Sequence, residues 1–134
     1  MASDSIVSER ALREIYLRGF EIAIRQSQPL AIMTSYNLIN GVHAANNFDL
    51  CTKAARQEFG FQGLIMTDWT TTEHSADCTA AGCIWAGNDL IMPGQFSDHE
   101  SIRAALADGS LSLSQLKACI ARIVEVILKS NRYE

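Results

Sequence analysis

Proline is nearly absent from this sequence: two prolines and eight glycines in 134 residues rule out collagen-like, mucin-like and Pro/Gly-rich disordered chains. Positive charge is also scarce. Eleven Lys and Arg stand against fifteen Asp and Glu, a formal net charge of −4, so no basic field exists to neutralise phosphates and no nucleic-acid partner is expected. No run of about 18 apolar residues is available to span a bilayer, and Met1-Ala2-Ser3-Asp4-Ser5 has neither the positive nor the apolar region of a signal peptide. No membrane partner is expected. The four cysteines, Cys51, Cys78, Cys83 and Cys119, lack the density and spacing of a secreted disulfide scaffold and read as free, mostly buried thiols, which favours a cytoplasmic location. With 48% hydrophobic and 19% charged residues, what remains is an ordinary globular composition. A chain of this length buries about two thirds of its unfolded surface, enough for one core, and 1–134 reads as a single domain.

Leu12, Ile15, Tyr16, Phe20, Ala23 and Ile24 recur at helical spacing and predict a helix from Ser8, its cap, to about Gln26. Pro29 breaks it. Leu30 to Tyr36 is a near-continuous apolar run, predicted as a strand buried on both faces in a parallel sheet. Asn37 to Asn47, rich in Asn and Gly, predicts a loop. A helix follows over Asp49 to Phe59, capped by Asn47 and stopped by Gly60. Phe61 to Trp69 predicts the second strand and Thr70 to Ala81 another helix, with a third short strand over Leu90 to Met92 and its lead-in. Two helices close the pattern, Asp98 to Ala107 and one from Ser112, where Ser112-x-x-Gln115 is a capping box. Helices alternating with strands argue for an α/β fold of βαβ units with parallel strands, and three strands are too few for a closed barrel.

Polar residues gather where the predicted strands end: Ser35-Tyr36-Asn37, Thr67-Asp68-Trp69 and Pro93-Gly94. In α/β folds the site forms at that rim. Asp68 is the strongest candidate, a carboxylate held directly after Leu64-Ile65-Met66 with the Trp69 indole beside it; its alternative role is to cap the helix that follows. Met33 and Tyr36, three apart, fit a strand end either as core or as site. His74, Cys78 and Cys83 lack the two paired ligand sets of structural zinc, so no metal is expected. His43 and His99 read as surface residues. Gly82, Gly87 and Gly94 form no phosphate-cradling motif, and no cofactor is expected.

Met33-Thr34-Ser35-Tyr36-Asn37-x-x-Asn40-Gly41, then Arg56-x-Glu58-Phe59-Gly60-Phe61-x-Gly63, Met66-Thr67-Asp68-Trp69 and Ala86-Gly87-Asn88-Asp89-Leu90-x-Met92-Pro93-Gly94 together resemble the barrel domain of glycoside hydrolase family 3. Leu12-Arg13-Glu14-x-Tyr16-Leu17 and Arg122-Ile123 extend the resemblance over almost the whole chain. It implies the C-terminal part of a TIM-type (β/α)8 barrel, incomplete as an isolated chain, from a retaining β-glycosidase of β-glucosidase or β-xylosidase type. It further implies that Asp68 is the nucleophile, that Tyr36 supports it, and that Met33 and Trp69 line the sugar subsite, while Asn40, Gly41 and Gly63 shape loops. The family often has Gly after this Trp, where Thr70 stands here. The family's other sugar-holding motifs and its general acid/base have no match, so the isolated chain is expected to be inactive. Its partners would be a small β-glycoside or oligosaccharide and the remainder of a parent enzyme, with self-association through open strand edges. The competing reading is a non-catalytic carbohydrate-binding or regulatory module.

Overall fold

A computed structural model describes residues 3–74 and 76–130, the side chain of His74 excepted. The chain runs β1 (Asp4–Ser5), α1 (Glu9–Ala11) continuing through a π-helical segment (Leu12–Tyr16) into α2 (Arg18–Ser27), then β2 (Ala31–Met33), β3 (Leu38–Ile39) and β4 (Val42–His43). A 3-10 turn (Ala44–Asn46) leads to a π helix (Asp49–Glu58), followed by β5 (Leu64–Met66), α3 (Thr71–His74), α4 (Ala80–Ala86), α5 (Phe96–Asp108) and α6 (Leu113–Leu128). The predicted caps form: Ser8 Oγ accepts from the Ala11 N–H at 3.2 Å, Asn47 Oδ1 from Leu50 at 3.1 Å, and Ser112 exchanges bonds with Gln115 in a capping box.

β2 and β5 pair in parallel, with Ile32 opposite Ile65 and Met33 opposite Met66, and Leu90 joins Met66 in a single further parallel bridge. The order along the sheet is therefore the order along the chain, with helices as crossovers. The third strand predicted over Leu90 to Met92 shrinks to that bridge because the Met92 N–H donates to Thr67 Oγ1 at 2.9 Å instead of to a neighbouring backbone. Its lead-in, Ile84 to Ala86, is helical, since Thr79 caps α4 by accepting from Gly82 at 3.1 Å. The helix expected over Thr70 to Ala81 consequently divides into α3 and α4. Another expectation also fails: Ala31 and Met33 of β2 are exposed, because they point to the face opposite Ile32 and only Ile32 packs against the main core. The strands form a small three-stranded and a small two-stranded sheet, not a closed barrel.

The main core lies between α2, the π helix and β5, where Ile24, Cys51, Ala54, Phe59, Phe61 and Ile65 are buried together. A second cluster, Ile84, Ala105, Leu111 and Cys119, joins α4, α5 and α6. All four cysteines are free and buried, as expected from the composition.

The predicted loop from Asn37 to Asn47 contains a hairpin. Asn40 and Gly41 connect β3 to β4 with φ of 51° and 82°, the paired left-handed conformations of a type I′ turn. That turn folds His43 back beneath the rim, and it is 1% exposed, not a surface residue. Its Nδ1 accepts from the Ala45 N–H at 3.2 Å. Burial pushes the His43 pKa below its ordinary value, against the opposing pull of Asp77 and the Tyr36 backbone. A depressed folded-state pKa means the unfolded chain binds the proton more readily, so stability is lost as pH falls through about 6.5. Urea denaturation between pH 7 and pH 5 is expected to show this slope, and His43→Gln to flatten it; an unchanged slope in the variant assigns the effect elsewhere.

Candidate active site

The two paired strands carry similar sequences into the rim: Ile32-Met33 pairs in register with Ile65-Met66, and Thr34-Ser35-Tyr36 and Thr67-Asp68-Trp69 follow the two strand ends. Parallel pairing of two similar segments places Tyr36 beside Asp68 and Trp69. The Tyr36 hydroxyl donates to the Trp69 carbonyl at 2.6 Å. Thr70 Oγ1 donates to the same carbonyl, also at 2.6 Å. Desolvation raises the Tyr36 phenol above its ordinary pKa, and the neighbouring Asp68 carboxylate adds to the shift, first by its hydrogen-bonding interaction with the protonated phenol and then by disfavouring a second negative charge.

Asp68 Oδ1 accepts from the Trp69 N–H at 2.7 Å. An N-cap carboxylate would instead accept from the second or third amide of the helix, and α3 begins only at Thr71. Its contact with that helix is through the backbone: the Asp68 carbonyl accepts from Thr71 Oγ1 at 2.9 Å. Asp68 is half-buried, while Tyr36 and Trp69 are 45% and 59% exposed, so a phenol and an indole flank a carboxylate that solvent reaches.

Met33 ends the strand next to them and is exposed. It lines an apolar cavity of about 170 Å³ with Leu17, Phe20, Ile24 and Ile32. His99 is exposed, as expected, and the His74 side chain lies outside the described residues.

Sequence reasoning missed the polar layer beneath the rim. Thr34 and Thr67 each follow a strand; Asn88 Nδ2 donates to Thr34 Oγ1 at 3.1 Å, and Thr67 holds Met92. Thr67 and Asn88 are fully buried. The signal was the recurrence of Ile-Met-Thr 33 positions apart, visible in the sequence but meaningful only as two paired strands.

Thr70 is the strained residue of the rim. Its φ of 58° is left-handed, a conformation a β-branched residue rarely adopts, and the turn is held by its N–H donating to Met92 O at 2.8 Å. Asn tolerates this region without the added unfolded-state entropy of Gly. Thr70→Asn is expected to stabilise the chain by about 1 kcal/mol, with Thr70→Gly near neutral. Denaturation midpoints of the two variants decide it, and a destabilised Asn variant would show that the Thr70 hydroxyl matters more than the strain.

This rim, a carboxylate with aromatic neighbours at the ends of parallel strands, belongs to a chain whose residues 3–126 match the description "Glycosyl hydrolase family 3 N terminal domain". The chain belongs to glycoside hydrolase family 3. The match corrects one expectation: it names the family's N-terminal domain, not a C-terminal part of its barrel. Among family 3 relatives, a β-glucosidase of Ruminococcus albus is 40% identical over 136 residues, 96% of this chain and 14% of that protein. An exo-α-(1→6)-L-arabinopyranosidase of Bifidobacterium breve is 39% identical over 128 residues, 96% of this chain and 16% of that protein. β-Glucosidase 3B of Thermotoga neapolitana, solved in complex with glucose, superposes with a TM-score of 0.86 at 43% identity, over 95% of this chain and 18% of that one. The α/β fold is thus similar to that of family 3 β-glucosidases, and the chain spans about a sixth of the length of the curated relatives it matches.

Proposed function

We propose that this chain is part of the barrel of a retaining β-glycosidase acting on terminal β-D-glucosyl residues, and that Asp68 is its nucleophile. The observation that carries the reading is the placement of the Asp68 carboxylate, which accepts from the Trp69 N–H, beside Tyr36 at the ends of paired parallel strands. In this mechanism an Asp68 oxygen attacks the anomeric carbon as the bond to the aglycone breaks, and a general acid protonates the departing oxygen. Water then attacks the glycosyl-enzyme, releasing sugar with its configuration retained. Tyr36 and Trp69 border the sugar, with Met33 behind them at the strand end. The names of the relatives support a β-glucoside as substrate.

The general acid is assigned to the parent enzyme outside this chain, so the chain alone is expected to be inactive. The remainder of the barrel would cover the open edge of β2 and the exposed Ile15, Tyr16, Phe20 and Ile22. In isolation these surfaces are expected to drive self-association. Light scattering that finds a monomer at high concentration contradicts this part.

The test is to incubate an active enzyme containing this segment with an activated 2-deoxy-2-fluoro-β-glucoside, which slows hydrolysis of the glycosyl-enzyme, and to map the label. A label on Asp68, lost in Asp68→Asn, is expected. A label on another residue overturns the assignment, and no label with any fluoro-sugar moves the reading to a carbohydrate-binding module. Aryl glucoside hydrolysis by the isolated chain, lost on Asp68→Asn, overturns the expected inactivity.

A further inference from the structure

Two thiols outside the rim stand in contact. Cys78 Sγ and Cys83 Sγ are 3.7 Å apart, and both are directed at one acceptor, Asn46 Oδ1, at 3.4 and 3.1 Å. Between them lies Thr79, the cap of α4. Cys51 and Cys119 are engaged elsewhere: Cys51 Sγ faces the Ala44 carbonyl at 3.7 Å, and Cys119 Sγ the Ile84 carbonyl at 3.7 Å. The sulfurs of the pair need to close by less than 2 Å to reach bonding distance.

We propose that Cys78 and Cys83 are an oxidisable dithiol, a modification site at which a hydroperoxide closes a disulfide across the start of α4. Cys78 is the attacking sulfur. It is flanked by exposed Asp77 and Thr79, so a small opening of the loop admits the oxidant, whereas Cys83 is enclosed within α4. Contact with Cys78 and burial both hold the Cys83 thiol in its protonated form, which fits a resolving role. The Cys78 thiolate attacks the peroxide, breaking the O–O bond and leaving a sulfenic acid and hydroxide, which takes up the proton that Cys78 lost. Cys83 sulfur then attacks Cys78 sulfur; the S–O bond breaks, and the Cys83 proton leaves with the hydroxyl as water. Two thiols and one hydrogen peroxide become one disulfide and two waters.

The consequence reaches toward the rim. Asn46 loses both S–H donors, and it closes the 3-10 turn whose Ala44 N–H holds the Asn37 carbonyl at 3.0 Å, one residue from Tyr36.

The test treats the folded full chain with hydrogen peroxide, blocks remaining thiols by alkylation after denaturation, and measures intact mass and peptide maps. Two of the four thiols are expected to escape alkylation, with the loss of two hydrogens confined to the peptide that holds Cys78 and Cys83, reversed by dithiothreitol. Cys119→Ser is expected to behave like the parent chain, and Cys78→Ser to keep Cys83 fully alkylatable. Four alkylated thiols, a disulfide that uses Cys51 or Cys119, a cross-link between chains, or sulfinic acid on a lone cysteine each overturn the proposal. Because the wild-type chain itself gives the decisive map, a variant that fails to fold does not obscure the result.

Discussion

Replacing Asp89 with alanine is expected to cost about 3–5 kcal/mol of folding free energy, the scale seen when one partner of a buried ion pair is removed. The Asp89 side chain is fully buried between two arginines. Its Oδ2 accepts from Arg56 Nη2 at 2.5 Å and from the Ile65 N–H at 2.8 Å, and its Oδ1 accepts from Arg122 Nε at 2.7 Å. Arg56 also donates to the Gly63 and Gly87 carbonyls, each at 3.0 Å. One carboxylate therefore joins the π helix, β5, the turn after α4 and α6. Burial pulls the Arg56 guanidinium below its ordinary pKa and Arg122 works in the same direction, while Asp89 opposes both. Without Asp89, two guanidiniums are left facing each other in a poorly solvated space, and the Ile65 amide loses its acceptor. Urea denaturation followed by circular dichroism measures the loss. A change below about 1 kcal/mol would mean that water enters and solvates the arginines.

Gly63→Ala is expected to cost about 3 kcal/mol, at the upper end for overpacking, because the obstacle is main chain. A Cβ at Gly63 would stand 2.4 Å from the Leu30 carbonyl oxygen and 2.7 Å from that of Pro29. Those atoms cannot rotate away as a side chain does. Relief requires β5 to move off β2 where the Leu64 N–H donates to Leu30 O at 3.0 Å, and the movement carries Asp68 away from Tyr36. Gly41 is the comparison: nothing lies within 4 Å of its Cβ, and only its φ of +82° resists substitution. Gly41→Ala is accordingly expected to cost about 1 kcal/mol. Equal destabilisation by the two variants would show that close approach at Gly63 is absorbed by the strands.

Three helix starts were legible because they depend on neighbouring residues: Ser8, Asn47 and Ser112 cap through their own side chains, whereas Thr79, which starts α4, and Gln95, which starts α5, were not read as caps. Strand extent was not legible. Each predicted strand is longer than the paired segment, since pairing requires a partner at every position and the open side of β2 has none among the described residues. His43 was misread for a similar reason, as its burial depends on a hairpin that turns it inward and not on the polar residues beside it in sequence.

Local chemistry in the chain alone thus determined much of the alternation of helices and strands, while the family was legible only through the resemblance of its motifs. Tertiary structure decided three further matters: that Tyr36 meets Asp68 and Trp69, that Arg56, Asp89 and Arg122 form one buried network, and that Cys78 touches Cys83. Periodicity and capping act over a few residues and can be read along the chain. Contacts between residues 33 positions apart depend on strand register and burial, which exist only once the chain has folded back on itself.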